Sequence, residues 1–166
     1  MDSDTVRKIV AKQSGSVVIS GSRSLQPLMV PIIMKEISYT HTPFQVYPVI
    51  IVGDARGVDT RTVLACQQLS LDFIVCGCEA VGKIRLSIRN LDECPSVLVP
   101  GGNKQKTCYA IRDKWMIDTA LLAKAAVFLG VWDGQSKGTI LTADYAKSKG
   151  MPGKLVDMHG RLIEKW

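Results

Sequence analysis

Short β-branched runs alternate along this chain with longer stretches of helical periodicity. Ser16-Val-Val-Ile-Ser20 is compact, apolar and closed by Gly21, which predicts a strand buried on both faces. Val49-Ile-Ile-Val52 repeats that pattern ahead of Gly53, Phe73-Ile-Val-Cys76 predicts a third strand, and Ala125–Val131 and Leu155–Met158 supply two more. From Val58 to Ser70 the spacing is helical: Val58, Thr62, Ala65, Cys66 and Leu69 share one face, away from Arg61, Gln67 and Gln68. Further helices are expected from about Tyr109 to Lys124 and over Gly138–Lys149, the second closed by Gly150 and Pro152. Pro27 suits the first turn of another helix running to about Ser38, with Pro31 placed to delay or kink its start, and His41–Pro48 reads as a loop. The pattern is weakest over residues 80–107, where Lys83–Ile88 and Val97–Val99 each suit a short strand and Gly101-Gly102-Asn103-Lys104 a loop. His159-Gly160 is placed to turn the chain into an edge segment.

Wholly apolar strands alternating with helices predict an α/β fold: a doubly wound, mostly parallel sheet sandwiched by helices, in a single domain over residues 1–166. Ligands of such sheets bind beyond the carboxyl ends of the strands, where strand order reverses. Chemistry is therefore expected on the loops that follow the strands.

Composition narrows the partners. With 46% hydrophobic and 22% charged residues the chain is an ordinary globular sequence. Its net charge of +6 favours anionic partners, whether nucleotides, nucleic acid or acidic surfaces. The basic residues are dispersed, which argues against a nucleic-acid-binding tail. The polar start MDSDTVRKIVAKQ lacks the apolar core of a signal peptide, and no apolar run approaches the roughly 18 residues of a membrane span. A soluble, cytoplasmic protein with no membrane partner is the expectation. The five cysteines offer only Cys76-Gly77-Cys78 as a close pair, with His41 and His159 distant, so buried or free thiols are expected rather than a metal centre.

Three strand-end loops share a character. The first strand runs into Gly21-Ser22-Arg23, the second into Gly53-Asp54-Ala55-Arg56-Gly57-Val58-Asp59, and the strand at 125–131 into Trp132-Asp133-Gly134-Gln135-Ser136-Lys137-Gly138-Thr139. Glycines there expose amide N–H groups, hydroxyl and basic side chains stand beside them, and a following helix N-terminus adds partial positive charge, a combination suited to phosphate. Any one of these loops serves equally well as a plain turn, with Asp59, Ser136 and Thr139 capping the helices they precede. Three of them at one end of one sheet favour a ligand. Arg112 falls on the buried side of its helix among Ile111, Trp115, Thr119 and Ala123, and a buried guanidinium needs a partner. That partner is either a phosphate held by a two-pronged contact or an internal carboxylate, Asp54 or Asp59. Neither G-x-x-x-x-G-K-[ST] nor G-x-G-x-x-G is present.

Taken in order over roughly residues 16–158, G-S-R at 21–23, G-D-A-R-G-V-D at 53–59, R-D-x-x-M at 112–116 and W-D-G-x-S-x-G-T at 132–139 resemble the SLOG superfamily. These Rossmann-like domains unite the Lonely Guy phosphoribohydrolases with the DNA-processing protein A core, and the stand-alone YspA-like branch is the most similar. The resemblance implies a Rossmann-like nucleotide-binding domain whose ligand is a nucleotide or a nucleotide-derived phosphorylated compound, in a sensor or carrier. It also implies a possible homo-oligomer, through helices flanking the sheet. The branch usually has Gly-Gly where this chain has Gly53-Asp54, and Arg-Asn where it has Arg112-Asp113. The upstream pair Arg89-Asn90 has Glu93 where the motif wants Met, whereas Met116 restores the match for Arg112. Residues 80–107 fit the family poorly and suit an insertion.

Lonely Guy enzymes carry P-G-G-x-G-T-x-x-E, and here Thr142 stands at the position of its glutamate. The reading therefore leans away from an enzyme. Should a nucleotide N-glycosidic or phosphate bond be hydrolysed, Asp54 and Asp133 are the candidate catalytic carboxylates. Asp54 suits ribose hydroxyls or a magnesium ion equally well. No Ser-His-Asp or Cys-His set is apparent, because neither histidine is expected near a strand-end loop. Single-stranded DNA binding is a third reading, supported by charge and weakened by an aromatic content of 6%. Tyr109 and Trp132 are the aromatics expected near the cleft.

Overall fold

The computed structural model describes residues 1–24, 48–103 and 106–166. Among them, β1 (Ser16–Gly21), β2 (Val49–Val52), β3 (Phe73–Cys78), β4 (Ser96–Val99), β5 (Ala126–Trp132), β6 (Gly153–Asp157) and β7 (Leu162–Lys165) form one sheet in the order β4-β3-β2-β1-β5-β6-β7. The pairs from β4 through β6 are parallel, and β7 runs antiparallel to β6 at the edge. The helices are α1 (Ser3–Ala11), α2 (Val58–Leu69), α3 (Lys106–Ala120) and α4 (Lys137–Ser148). The helix expected over Pro27–Ser38 lies outside the described residues, as does nearly all of the loop expected over His41–Pro48.

The apolar strands are covered on both faces, as their lack of polar alternation requires. Val18, Ile51, Cys76 and Phe128 point to the face covered by α1, α3 and α4, where they meet Val6, Trp115, Met116 and Ala143. Val17, Ile19, Ile50 and Leu129 point to the other face and pack on Val58, Ala65 and Cys66 of α2. All five cysteines are buried thiols, and burial pushes those of Cys66 and Cys78 up to about 12. Among the described residues no helix is long and apolar enough to cross a membrane.

Two local expectations change, and one helix joins those expected. The N-terminal stretch is a helix: the Asp2 carboxylate accepts from the backbone N–H groups of Asp4 and Thr5, and Val6 and Val10, four residues apart, are its buried face. Lys83–Ile88 is not a strand, because the outer edge of β3 is taken by β4. That segment instead crosses the ends of the strands, with Leu86 buried against Val52, Val63 and Val75. Finally α3 begins at Lys106 and ends at Ala120, so the four residues expected to complete it form turns. The edge segment after His159-Gly160 is present as β7, its turn tied by the Asp157 carboxylate to the N–H groups of His159 and Arg161.

Strand order reverses at β1. From it the chain builds β2, β3 and β4 on one side, then returns to lay β5 along its other edge, with Gly21 opposite Val131.

Candidate functional site

At this reversal residues 22–24, which follow β1, lie beside the loops after β2 and β5. The β2 loop leans on the end of β1, where the Val58 N–H donates to the Ser22 carbonyl at 3.2 Å. Gly57 makes that approach with φ of +85°, and a Cβ there would press on the Ser22 carbonyl oxygen and stand 2.7 Å from Arg23 Cα. Gly57 is thus fixed by loop-on-loop packing. Gly21 sits under Val58 in the same way, and a Cβ on Gly53 would lie 2.5 Å from Asp59 Oδ2 and 3.0 Å from Arg112 Cζ. Gly53 makes room for two side chains of this chain.

Those side chains belong to a buried charge cluster. Asp54 is 0% exposed. Its Oδ1 accepts from Arg112 Nη1 at 2.7 Å and from Arg85 Nη2, and its Oδ2 accepts from Arg85 Nε at 3.0 Å and the Arg85 backbone N–H at 3.2 Å. The far side of the Arg112 guanidinium donates to Asp113 Oδ1, Nε at 2.9 Å and Nη2 at 2.7 Å. Of the two partners left open for Arg112, an internal carboxylate is the one seen: Asp54, joined by Asp113. Burial works against the charge of Arg112, but Asp113, Asp59 and Asp54 outweigh it and raise its pKa further. Asp59 is also buried, and its Oδ2 accepts from the Ala55 N–H at 2.9 Å. Burial pushes its carboxyl up to about 7, with Arg112 and the Ala55 N–H pulling the other way.

Arg85 is the residue that sequence reasoning missed. It lies in Lys83-Ile84-Arg85-Leu86, inside the stretch assigned to a strand, and the one signal for it was a cation set between two apolar residues. Its guanidinium lies over the Tyr109 ring at 4.4 Å from the centroid, and Nη1 donates to the Tyr109 hydroxyl at 3.0 Å. Arg23 and Arg112 each hold a guanidinium carbon 5.8 Å from the same centroid, which places Tyr109 at the cleft as expected. Above the cluster a cavity of about 350 Å³ is lined by Arg23, Asp54, Ala55, Arg56 and Arg85. Arg85 is neutralised by Asp54. Arg23 and Arg56 are exposed and make no ion pair with the described residues.

The β5 loop is tied to itself and to β1. Asp133 Oδ1 accepts from the N–H groups of Gln135 (3.0 Å) and Ser136 (2.8 Å), Oδ2 accepts from the Ser24 hydroxyl at 2.9 Å, and the Asp133 N–H donates to Ser22 Oγ at 3.0 Å. Burial alone would raise this carboxyl, but those hydrogen bonds outweigh it and hold it at about 2. Ser136 precedes α4, yet its hydroxyl caps no backbone N–H and instead accepts from Thr139 Oγ1 at 3.2 Å. Trp132 is turned onto its own loop, Nε1 donating to the Ser136 carbonyl at 3.0 Å.

Among the described residues the candidates line several cavities. Arg23, Asp54 and Arg56 share the arginine-lined one. Asp133 and Gly134 line another, of about 270 Å³, with Trp132 and His159. The expectation that neither histidine stands near a strand-end loop fails for His159, because β6 brings it beside β5. Gly138 opens onto a third cavity between α3 and α4, Lys137 is exposed, and Thr139 is buried. Asp54 thus accepts from guanidinium or amide donors on both oxygens.

No family model and no curated protein matches the sequence. Among solved structures the chain is similar to DNA processing protein A from Streptococcus pneumoniae, with a TM-score of 0.59 and 17% identity, covering 88% of this chain and 51% of that one. It is also similar to DNA processing protein A from Helicobacter pylori, described for its single-stranded DNA binding mode, with a TM-score of 0.57 and 16% identity, covering 89% of this chain and 67% of that one. The chain thus spans about half the length of the pneumococcal protein. At such identities the likeness is one of fold.

Proposed function

We propose that the protein binds a nucleotide or nucleotide-derived phosphorylated ligand, as a sensor or carrier, with its phosphate in the cavity between the ends of β1 and β2. The observation that carries this reading is that cavity's lining. Arg23 and Arg56 are exposed cations without a carboxylate partner among the described residues, and Arg85 beside them is held in place by Asp54. Asp54 acts here as a positioning residue, its buried charge fixing the Arg85 guanidinium toward the cavity. Hydrolysis ranks second because Asp54 and Asp133 are both committed as hydrogen-bond acceptors.

Isothermal titration with pyrophosphate and nucleoside monophosphates tests the reading on Arg23→Ala and Arg56→Ala. Each charge-assisted contact is worth roughly 1.5–3 kcal/mol, so about tenfold or more in affinity is expected to go with either variant while the melting temperature stays put. Unchanged affinity in both would sink the assignment.

Single-stranded DNA is the third reading, favoured by the fold likeness to a protein described for that binding and by the charge of +6. It predicts an oligonucleotide that outcompetes every mononucleotide and weakens steeply with salt as counterions are released.

A further inference from the structure

A cavity of about 650 Å³ lies between α3 and α4, lined among others by Tyr109, Asp113, Gly138, Leu141, Thr142 and Tyr145. Its volume is in the range of small-molecule sites. Three observations single it out. First, it adjoins the arginine-lined cavity: Tyr109 lines one, Arg85 lines the other, and the two side chains are stacked and hydrogen-bonded at 3.0 Å. Second, Gly138 has no local reason to be glycine. It lies within α4, where glycine is a poor helix former, its φ is not positive, and a Cβ there would meet nothing within 4 Å. Third, Asp113 keeps an acceptor in reserve. Its Oδ1 is taken by Arg112, while among the described residues Oδ2 has only the Thr142 hydroxyl at 3.4 Å, and that single proton is better placed on the Gly138 carbonyl at 2.9 Å.

We infer that this cavity receives the uncharged planar part of the ligand, a nucleobase bearing an exocyclic amine, while its phosphate lies at Arg23, Arg56 and Arg85. The ring slides past the bare backbone of Gly138 between Tyr109 and the apolar wall of Leu141, and its amine donates to Asp113 Oδ2. Leu141 is 67% exposed, an apolar surface that such a ring would cover. The assignment rests on the arginine cavity being a phosphate site, and the experiment separates the two.

Pyrophosphate and the four nucleoside monophosphates AMP, GMP, CMP and UMP are titrated into the wild type, Gly138→Val and Leu141→Ser. The expected result is that at least one amine-bearing monophosphate binds ten times more tightly than pyrophosphate, and more tightly than UMP. Gly138→Val should erase that advantage and leave pyrophosphate binding unchanged, and Leu141→Ser should reduce it in the same direction. Near-UV circular dichroism checks that Gly138→Val is folded, and the exposed Leu141 provides the second variant if it is not. Pyrophosphate binding with no gain from any base, or a gain that survives both variants, overturns the cavity assignment and leaves the arginine site standing. Loss of pyrophosphate in Gly138→Val also overturns it, by placing Gly138 at the phosphate. Absence of binding by pyrophosphate and every monophosphate overturns the arginine site and this assignment together.

Discussion

Asp59→Asn is expected to stabilise the protein most above neutral pH and progressively less in mild acid. The Asp59 carboxyl ordinarily titrates at 3.8, and burial raises it to about 7 in the folded protein. The fold therefore holds this proton more tightly than the unfolded chain does. Stability falls as pH rises from about 4 to about 7 and is level with respect to this group above that. Each tenfold gain in proton affinity is worth about 1.4 kcal/mol, so the ionised form costs the fold on the order of 4 kcal/mol. Asparagine keeps the shape and an oxygen for the Ala55 N–H, now 2.9 Å from Oδ2, and has no proton to lose. Urea unfolding of both proteins at pH 5, 6, 7 and 8 isolates the effect, since every other group titrates alike in the two and cancels in the difference. The variant should exceed the wild type by about 1–2 kcal/mol at pH 5 and by about 4 kcal/mol at pH 8. A difference that does not change with pH would refute this, and so would a variant weaker than wild type at pH 8.

Asp54→Ala leaves the Arg112 charge buried with one carboxylate fewer and should cost about 3–5 kcal/mol in the same unfolding assay. Asp133→Ala strips two backbone N–H groups of their acceptor and should cost about 1–2 kcal/mol, whereas Ser136→Ala should cost less than about 0.5 kcal/mol because its hydroxyl caps nothing. The share due to Asp133 is held above pH 4 and lost as pH falls through about 2, which acid titration of wild type against Asp133→Ala will read. Gly57→Val, strained at a φ of +85° and pressed on the end of β1, should lower the melting temperature as well as any affinity; full stability with lost binding would contradict its packing role. The thiols of Cys66, Cys76 and Cys78, all raised by burial, should resist Ellman's reagent in the native protein at pH 8 and react on unfolding.

Much of the fold is legible in the chain because burial leaves a periodic mark. Val17, Val18 and Ile19 in succession announce a strand with both faces covered, and the 3.6-residue spacing of Val58, Thr62, Ala65 and Cys66 announces the helix that covers one of them. The same reasoning put Arg112 inside and required it to have a partner. Periodicity cannot say which partner, since Asp54 is 58 residues away and both it and Arg85 reach the cluster only after the sheet has been ordered. Local pattern also misread Lys83–Ile88, whose alternation suits a strand while the outer edge of β3 went to β4. The loops were recognisable by their glycines. Gly53 and Gly57 nonetheless answer to Asp59, Arg112, Ser22 and Arg23, so what they make room for is other parts of this chain. Composition and spacing thus determined the α/β class, the strands and the end of the sheet where charged groups gather. The tertiary structure alone decided how those groups pair, leaving Arg23 and Arg56 free of carboxylates among the described residues, because electrostatic pairing depends on distance in space and is blind to distance along the chain.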